Sequence, residues 1–246
     1  MSRKDVESQA FTRMLSRDVA SLVRAARQLS GYARDDVLRG DIDAAMQALG
    51  LLDVRLAGID RFVADYLRYR RAGQRTPQIE TFRVVELIEC TWRALAPPPG
   101  AALNVNVEGL QVSGDRALLS EILREVLHNA LVHHPDPGVL AVAVAIDVVD
   151  DARLVLRIHD NGSGIPQGAE ARVFEPFVKL SGAAGACGLG LAWCQRALAR
   201  AGGAISWCGA AAGGGVCVEL PIGDAVIATR SRRSGGDAER PALHLV

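Results

Sequence analysis

Glu125, Asn129 and His133 stand four residues apart in RALLSEILREVLHNALVHH, a stretch otherwise rich in Leu, Val and Ala. On a helix that spacing places all three on one face. A row of polar groups on such a helix must meet either water or a ligand. Further on, the alternating run LRIHD ends in the carboxylate of Asp160, followed by Asn161, Gly162, Ser163, Gly164 and Pro166. A plain hairpin needs fewer turn residues than that. A third cluster, Gly182, Gly185, Gly188 and Gly190, runs straight into a helical pattern. Glycines approaching a helix N-terminus offer backbone N–H groups and a positive dipole end, which suit phosphate. An Asn beside a carboxylate supplies the hard oxygens that Mg²⁺ takes between phosphates. A lone carboxylate at a strand end can accept from an adenine amino group, with glycines letting the base come close. Taken singly, each feature is ordinary loop or helix chemistry. It is their order that points to a nucleotide.

The elements that must position these groups form a mixed α/β unit. RVVELIECTWRAL predicts a helix stopped by Pro97, Pro98 and Pro99, and ALNVNVEGLQV reads as a strand. The Glu125 helix is closed by Pro135. VLAVAVAIDVV and RLVLRIHD form a hairpin around Asp150 and Asp151. GLGLAWCQRALARAGG is a helix capped by Gly202 or Gly203, and AISWC and GVCVELP are a last strand pair. Without regular strand–helix alternation, this predicts an α/β sandwich, one helical layer over one mixed sheet. The tail from residue 223 is polar and reads as disordered.

Residues 1–72 have a different character. Ile42, Ala45, Leu49, Leu52, Leu56, Ile59, Val63 and Tyr66 alternate steps of three and four, a heptad seam. Phe11, Leu15, Val19, Leu22, Ala26, Leu29 and Ala33 make a similar stripe upstream, with Gly40 and Asp41 as stop and new N-cap. This is a helical hairpin. Two helices alone cannot cover such a seam, so a homodimer forming a four-helix bundle is expected. Within RRAGQRTPQIETF the linker is read over residues 73–81.

Bulk properties exclude some function classes. The 246 residues carry 28 basic and 28 acidic side chains, so no global charge directs the chain to nucleic acid or an anionic membrane. Five scattered cysteines, odd in number and without paired metal spacing, suit a reduced compartment. No apolar run spans a bilayer, and the polar start MSRKDVESQ does not read as a signal peptide. A cytoplasmic protein without direct membrane insertion is the expectation.

At this point the sequence resembles the histidine kinases of two-component signalling and the ATPase fold they share with gyrase and MutL. EVLHNALVHH resembles the N box, HDNGSGIP the first glycine box, FEPFVKL the F box and GACGLGLAWC the second glycine box. Order and spacing match over residues 82–222, most similarly to phytochrome-type kinases, and the hairpin resembles the dimerisation and phosphotransfer domain. The resemblance implies that Asp160 reads the adenine amino group, with Gly162 and Gly164 beside the base. It implies that Asn129 carries Mg²⁺ and that His133 flanks the nucleotide. Glu125 sits where the family has a second Asn or an acid. Lys179 would reach the terminal phosphate. Gly188, Gly190 and Leu191 would hold the phosphates, and Phe174 and Phe177 would pack the lid or simply join the core.

The departures are as specific. Val132 stands where a Lys is common, and Ala186 and Cys187 replace a glycine and its polar companion. In the first helix the family writes Ser-His-Asp-Leu; here it is SRDV, with Arg17 at the phosphoacceptor position. Arginine stays protonated and cannot be the nucleophile. All five histidines, His128, His133, His134, His159 and His244, lie beyond the first hundred residues. Asp18 and Ser21 approximate the acid-x-x-Thr/Asn pattern with which family phosphatases orient water. The implied function is a signalling protein that dimerises, binds Mg-ATP and engages a response regulator receiver domain or a partner histidine kinase, without conventional autophosphorylation. Two alternatives stand beside it: a scaffold with a decayed nucleotide site, and an anti-sigma-type serine/threonine kinase.

Overall fold

The computed structural model of the chain describes residues 19–107, 109–180, 187–209 and 213–223. It opens with the hairpin, α1 (Ala20–Arg39) and α2 (Ile42–Arg71). Gly40 ends α1 at φ 79°, a left-handed cap that costs glycine nothing, and the Asp41 N–H returns to the Asp36 carbonyl at 2.9 Å. The Asp41 side chain then accepts from the Ala44 N–H at 3.1 Å and starts α2, as the Gly-Asp pair predicts.

The heptad seam divides into two sets. Ala45, Leu52, Ile59 and Tyr66 are buried or half-buried, whereas Ile42, Leu49, Leu56 and Val63 are 58%, 42%, 46% and 47% exposed. One heptad position is covered within the chain, and the other faces outward.

Next come β1 (Ile79–Arg83), α3 (Val84–Ala94), β2 (Ala102–Val105), β3 (Gln111–Asp115) and α4 (Arg116–His133). They are followed by β4 (Ala141–Val149), β5 (Arg153–Asp160), α5 (Gly190–Arg200), β6 (Ala204–Trp207) and β7 (Gly214–Pro221). Five strands form one sheet in the order β2-β4-β5-β7-β6, antiparallel except for the parallel β2–β4 pair. The strands alternate as the period-2 pattern requires. Val142, Val144, Ile146, Leu154, Leu156, Ile158, Val216, Val218 and Leu220 face the helices, and Arg157 pairs with Asp147 on the other face. Val84, Leu87 and Ile88 of α3, Leu119, Ile122, Leu123 and Leu127 of α4, and Cys194, Ala197 and Leu198 of α5 complete one core. This is the expected α/β sandwich. Tyr69 and Ala72 join the same core, so the end of α2 is packed against the sandwich.

Two segments differ from the sequence reading. ALNVNVEGLQV is two strands, not one: β2 lies along β4 (Ala102↔Ala141), while β3 leaves to pair with β1 (Phe82↔Val112). Gly109, at φ 78°, redirects the chain between them. IETF, read as the end of a linker, is β1. Its single buried residue, Phe82, gives no alternation, so only the distant pairing with β3 makes it a strand.

Candidate functional site

Asp160 is the last residue of β5, opposite Gly214 of β7. Its Oδ1 accepts the Gly162 N–H at 2.9 Å and the Gly214 N–H at 3.2 Å. A Cβ on Gly162 would stand 2.7 Å from that same oxygen, so the close approach requires glycine. The following loop is pinned by Asn161, whose Oδ1 accepts the Ala141 N–H at 2.7 Å and whose amide donates to the Val139 carbonyl at 3.0 Å. Asp160 is therefore a fixed carboxylate at the end of a central strand. It opens on a cavity of about 850 Å³.

The face of α4 forms one wall of that cavity, with Glu125, Asn129 and His133 lining it, as their four-residue spacing predicts, and Val132 beside them. Burial, with the charge of His128 adding to it, pushes the His133 imidazole below its ordinary pKa and favours the neutral ring. Gly162, Gly164, Lys179, Gly188, Gly190 and Leu191 line the same cavity. Gly188 sits at φ 64°, and a Cβ there would meet the Val178 carbonyl oxygen at 2.6 Å. Its own carbonyl accepts the Phe177 N–H at 2.8 Å, which holds the two loop arms together. Phe174 is core, 4% exposed; Phe177 is half-buried and stacks on Tyr66 of α2 with centroids 6.5 Å apart. Through that stacking Phe177 meets the hairpin.

The hairpin also supplies cavity residues that nothing in the sequence marked: Arg61, Asp65 and Arg68 of α2. Arg68 donates to Glu125 Oε1 at 2.6 Å and to Glu121 Oε2 at 3.3 Å, and its guanidinium lies 4.0 Å from the centroid of the Trp193 ring. Burial opposes the Arg68 charge, but the hydrogen bond and charge of Glu125, with Glu121, outweigh it and raise the pKa. Arg124 donates to the same Glu125 oxygen at 2.7 Å. Glu125 Oε2 stands 2.6 Å from where a Cβ on Gly190 would be. Burial, aided by Asp65, pushes the Cys187 thiol up to about 11. His134, also missed, is buried and lines the cavity beside Gly162. In the helical runs around Arg61 and Arg68, charged side chains read only as a solvated surface.

Ser21 is exposed on α1 and is not among the residues lining the cavity. Arg17, Asp18, Gly182, Gly185, Ala186, His244 and the tail from 224 lie outside the described residues. The donor set fits a nucleotide. One cavity brings together a fixed acceptor among glycines, the glycine-lined start of α5, and Asn129.

Residues 114–224 match the family described as the histidine kinase-, DNA gyrase B- and HSP90-like ATPases. The sensor protein KinB of alginate biosynthesis in Pseudomonas aeruginosa is 26% identical over 191 residues, 76% of this chain and 30% of its own length. The histidine-protein kinase/phosphatase MprB of Mycobacterium sp. strain KMS is 30% identical over 171 residues, 68% of this chain and 31% of its own. Residues 114–224 carry the ATPase domain of that family, and the chain is similar to two-component histidine kinases over most of its length. It spans about a third of the length of these relatives. Two solved histidine kinases share the fold. ShkA, crystallised full-length with AMPPNP, has a TM-score of 0.61 and 22% identity over 85% of this chain and 47% of its own. ThkA, solved with the response regulator TrrA, has a TM-score of 0.59 and 17% identity over 90% of this chain and 66% of its own. Both the kinase-type sandwich and the preceding hairpin are thus accounted for. Among the described residues, no helix is long and apolar enough to cross a membrane.

Proposed function

We propose that this chain is a two-component signalling subunit that binds Mg-ATP in the Asp160 cavity. We infer that it dimerises through residues 1–72 and engages a receiver domain or a partner kinase, without phosphorylating a histidine of its own. The carrying observation is Asp160, held by two glycine N–H groups at the end of β5 and opening on a cavity also lined by Gly188 and Gly190 at the start of α5. In this reading Asp160 accepts from the base amino group, Gly162 and Gly164 admit the ring, and Gly188, Gly190, Leu191 and Lys179 face the phosphates. His133, neutral by burial, flanks the nucleotide without adding charge. Asn129 would hold Mg²⁺, whose charge would offset that of the phosphates; such a site needs only one or two protein ligands. Glu125, whose Oε1 accepts from Arg68 and Arg124, would offer the metal a second oxygen ligand.

Support for the nucleotide comes from the family match and from ShkA, whose structure holds AMPPNP. Support for a receiver partner comes from ThkA, solved with TrrA. Arg17 in place of the phosphoacceptor makes the chain a regulator, a phosphatase using Asp18 and Ser21, or a heterodimer subunit that phosphorylates its partner. Titration calorimetry with ATP, with and without Mg²⁺, tests the core of this reading. Saturable Mg-dependent binding is expected. No binding at millimolar ATP overturns it and leaves a scaffold.

A further inference from the structure

His134 follows α4 and precedes Pro135, and a residue before proline is driven out of the helical region. At φ −70° and ψ 133° it leaves the helix extended, and its side chain is buried, 8% exposed, while His133 stays on the helix. The ring is oriented by its own loop: Nδ1 accepts the Asp136 N–H at 3.1 Å. A neutral imidazole whose Nδ1 accepts carries its proton on Nε2. That Nε2 is buried and has no hydrogen-bond partner among the described residues. An unpaired buried donor is costly, so such groups in native proteins have a partner in the working state.

The location of His134 suggests that partner. Cδ2, the carbon bonded to Nε2, lies 3.5 Å from the point where a Cβ on Gly162 would stand, and Asp160 Oδ1 lies 2.7 Å from the same point. The edge of the His134 ring and a fixed acceptor therefore flank one glycine in the cavity. Adenine presents that pattern in complement, an amino donor next to a ring-nitrogen acceptor. Guanine and hypoxanthine place a carbonyl where adenine has its amino group and a protonated N1 beside it.

We propose that His134 is a specificity-determining residue for the base, its Nε2–H donating to the ring nitrogen beside the amino group that Asp160 accepts. This rests on the nucleotide reading above. The test is calorimetry on the full chain with ATP, 1-deaza-ATP and 7-deaza-ATP, each lacking one of the two candidate ring nitrogens. The parent is expected to bind one deaza analogue about five- to tenfold more weakly than ATP. His134→Phe should lose about the same factor for ATP and nothing more for that analogue. His134→Gln, which keeps an N–H donor, should recover part of the affinity. Equal losses for ATP and both analogues, or no loss at all, overturn the role of His134 while leaving Asp160 binding intact. A parent that binds no ATP refutes the nucleotide reading itself, and this inference with it.

Discussion

Arg68 of the hairpin and Glu125 of the ATPase-type sandwich form a half-buried ion pair at 2.6 Å. The pair ties α2 to a carboxylate packed against Gly190 of the second glycine box, and the Arg68 plane over Trp193 extends the contact to α5. The orientation of the hairpin and the state of the cavity therefore share one side chain.

Arg68→Met keeps the stem over Trp193 and removes the fork. It is expected to lower unfolding stability by about 1–2 kcal/mol, the range for a charge-assisted hydrogen bond reduced for partial solvent exposure. Arg124 still faces Glu125 in that variant, so the carboxylate is not orphaned. Arg68→Lys should recover less than half of the loss, because a point charge cannot serve Glu121, Glu125 and the ring together. Urea unfolding of Arg68→Met, Glu125→Gln and the double variant Arg68→Met/Glu125→Gln measures the coupling, and that of Arg68→Lys the recovery. Fully additive effects would show that the pair contributes nothing.

The boundary of legibility in the sequence follows from the range of the forces. Turn chemistry is local, so Gly40-Asp41 marked the hairpin turn, and the spacing of Glu125, Asn129 and His133 placed them on one wall. Asp160 stood out because glycines crowd it in sequence as they do in space. Arg68 gave no such signal: its partners are 53 and 57 residues away, and only packing of α2 on the sandwich brings them together. His134 was hidden by its neighbour. The four-residue pattern singled out His133, and the turn forced by Pro135 is what sends the next ring inward. β1 failed for the same reason as Arg68, since the strand it pairs with, β3, is distant in sequence.

Asp160→Asn keeps the size and the two glycine contacts but removes the charged acceptor. Loss of a hydrogen bond to a charged group of about 1.5–3 kcal/mol predicts roughly tenfold or more weaker ATP binding. Competition with a fluorescent ATP analogue measures it, and unchanged affinity would remove Asp160 from the base site.

Cys187 lines the cavity with a thiol held up to about 11, where burial and Asp65 disfavour the thiolate. Only the thiolate alkylates, so at pH 8 its fraction is about one in a thousand. Iodoacetamide should label exposed Cys90 first and Cys187 very slowly, with the Cys187 rate still rising as pH passes 10. Mass-spectrometric peptide mapping reads both sites. Rapid Cys187 labelling at pH 8 would contradict its burial beside Asp65.

Ile42, Leu49, Leu56 and Val63 form an outward row at heptad spacing on α2, and a second copy is the occupant such a row fits. Leu49→Lys/Leu56→Lys adds charge in the middle of the row while leaving Ala45, Leu52 and Ile59 in place. Sedimentation velocity is expected to show a dimer for the parent and a monomer for the variant. A monomeric parent at tens of micromolar would end the four-helix-bundle reading.

The parent chain is expected to take up no acid-labile, alkali-stable phosphate from radiolabelled ATP. Neither α1 nor α2 contains a histidine, and none precedes residue 128. Of the four described histidines, His128, His133 and His134 line the nucleotide cavity and His159 lies on β5. None is on the hairpin, where the family takes its phosphoryl group. Arg17→His restores a nucleophile beside Asp18, and general-base help of about 10²–10⁴-fold makes retention of that acid matter. Weak labelling of Arg17→His, lost again in Arg17→His/Asp18→Asn, is the expected series. Acid-labile label on the parent would show that the chain phosphorylates a histidine without Arg17 being replaced, and would refute the regulator reading at its base.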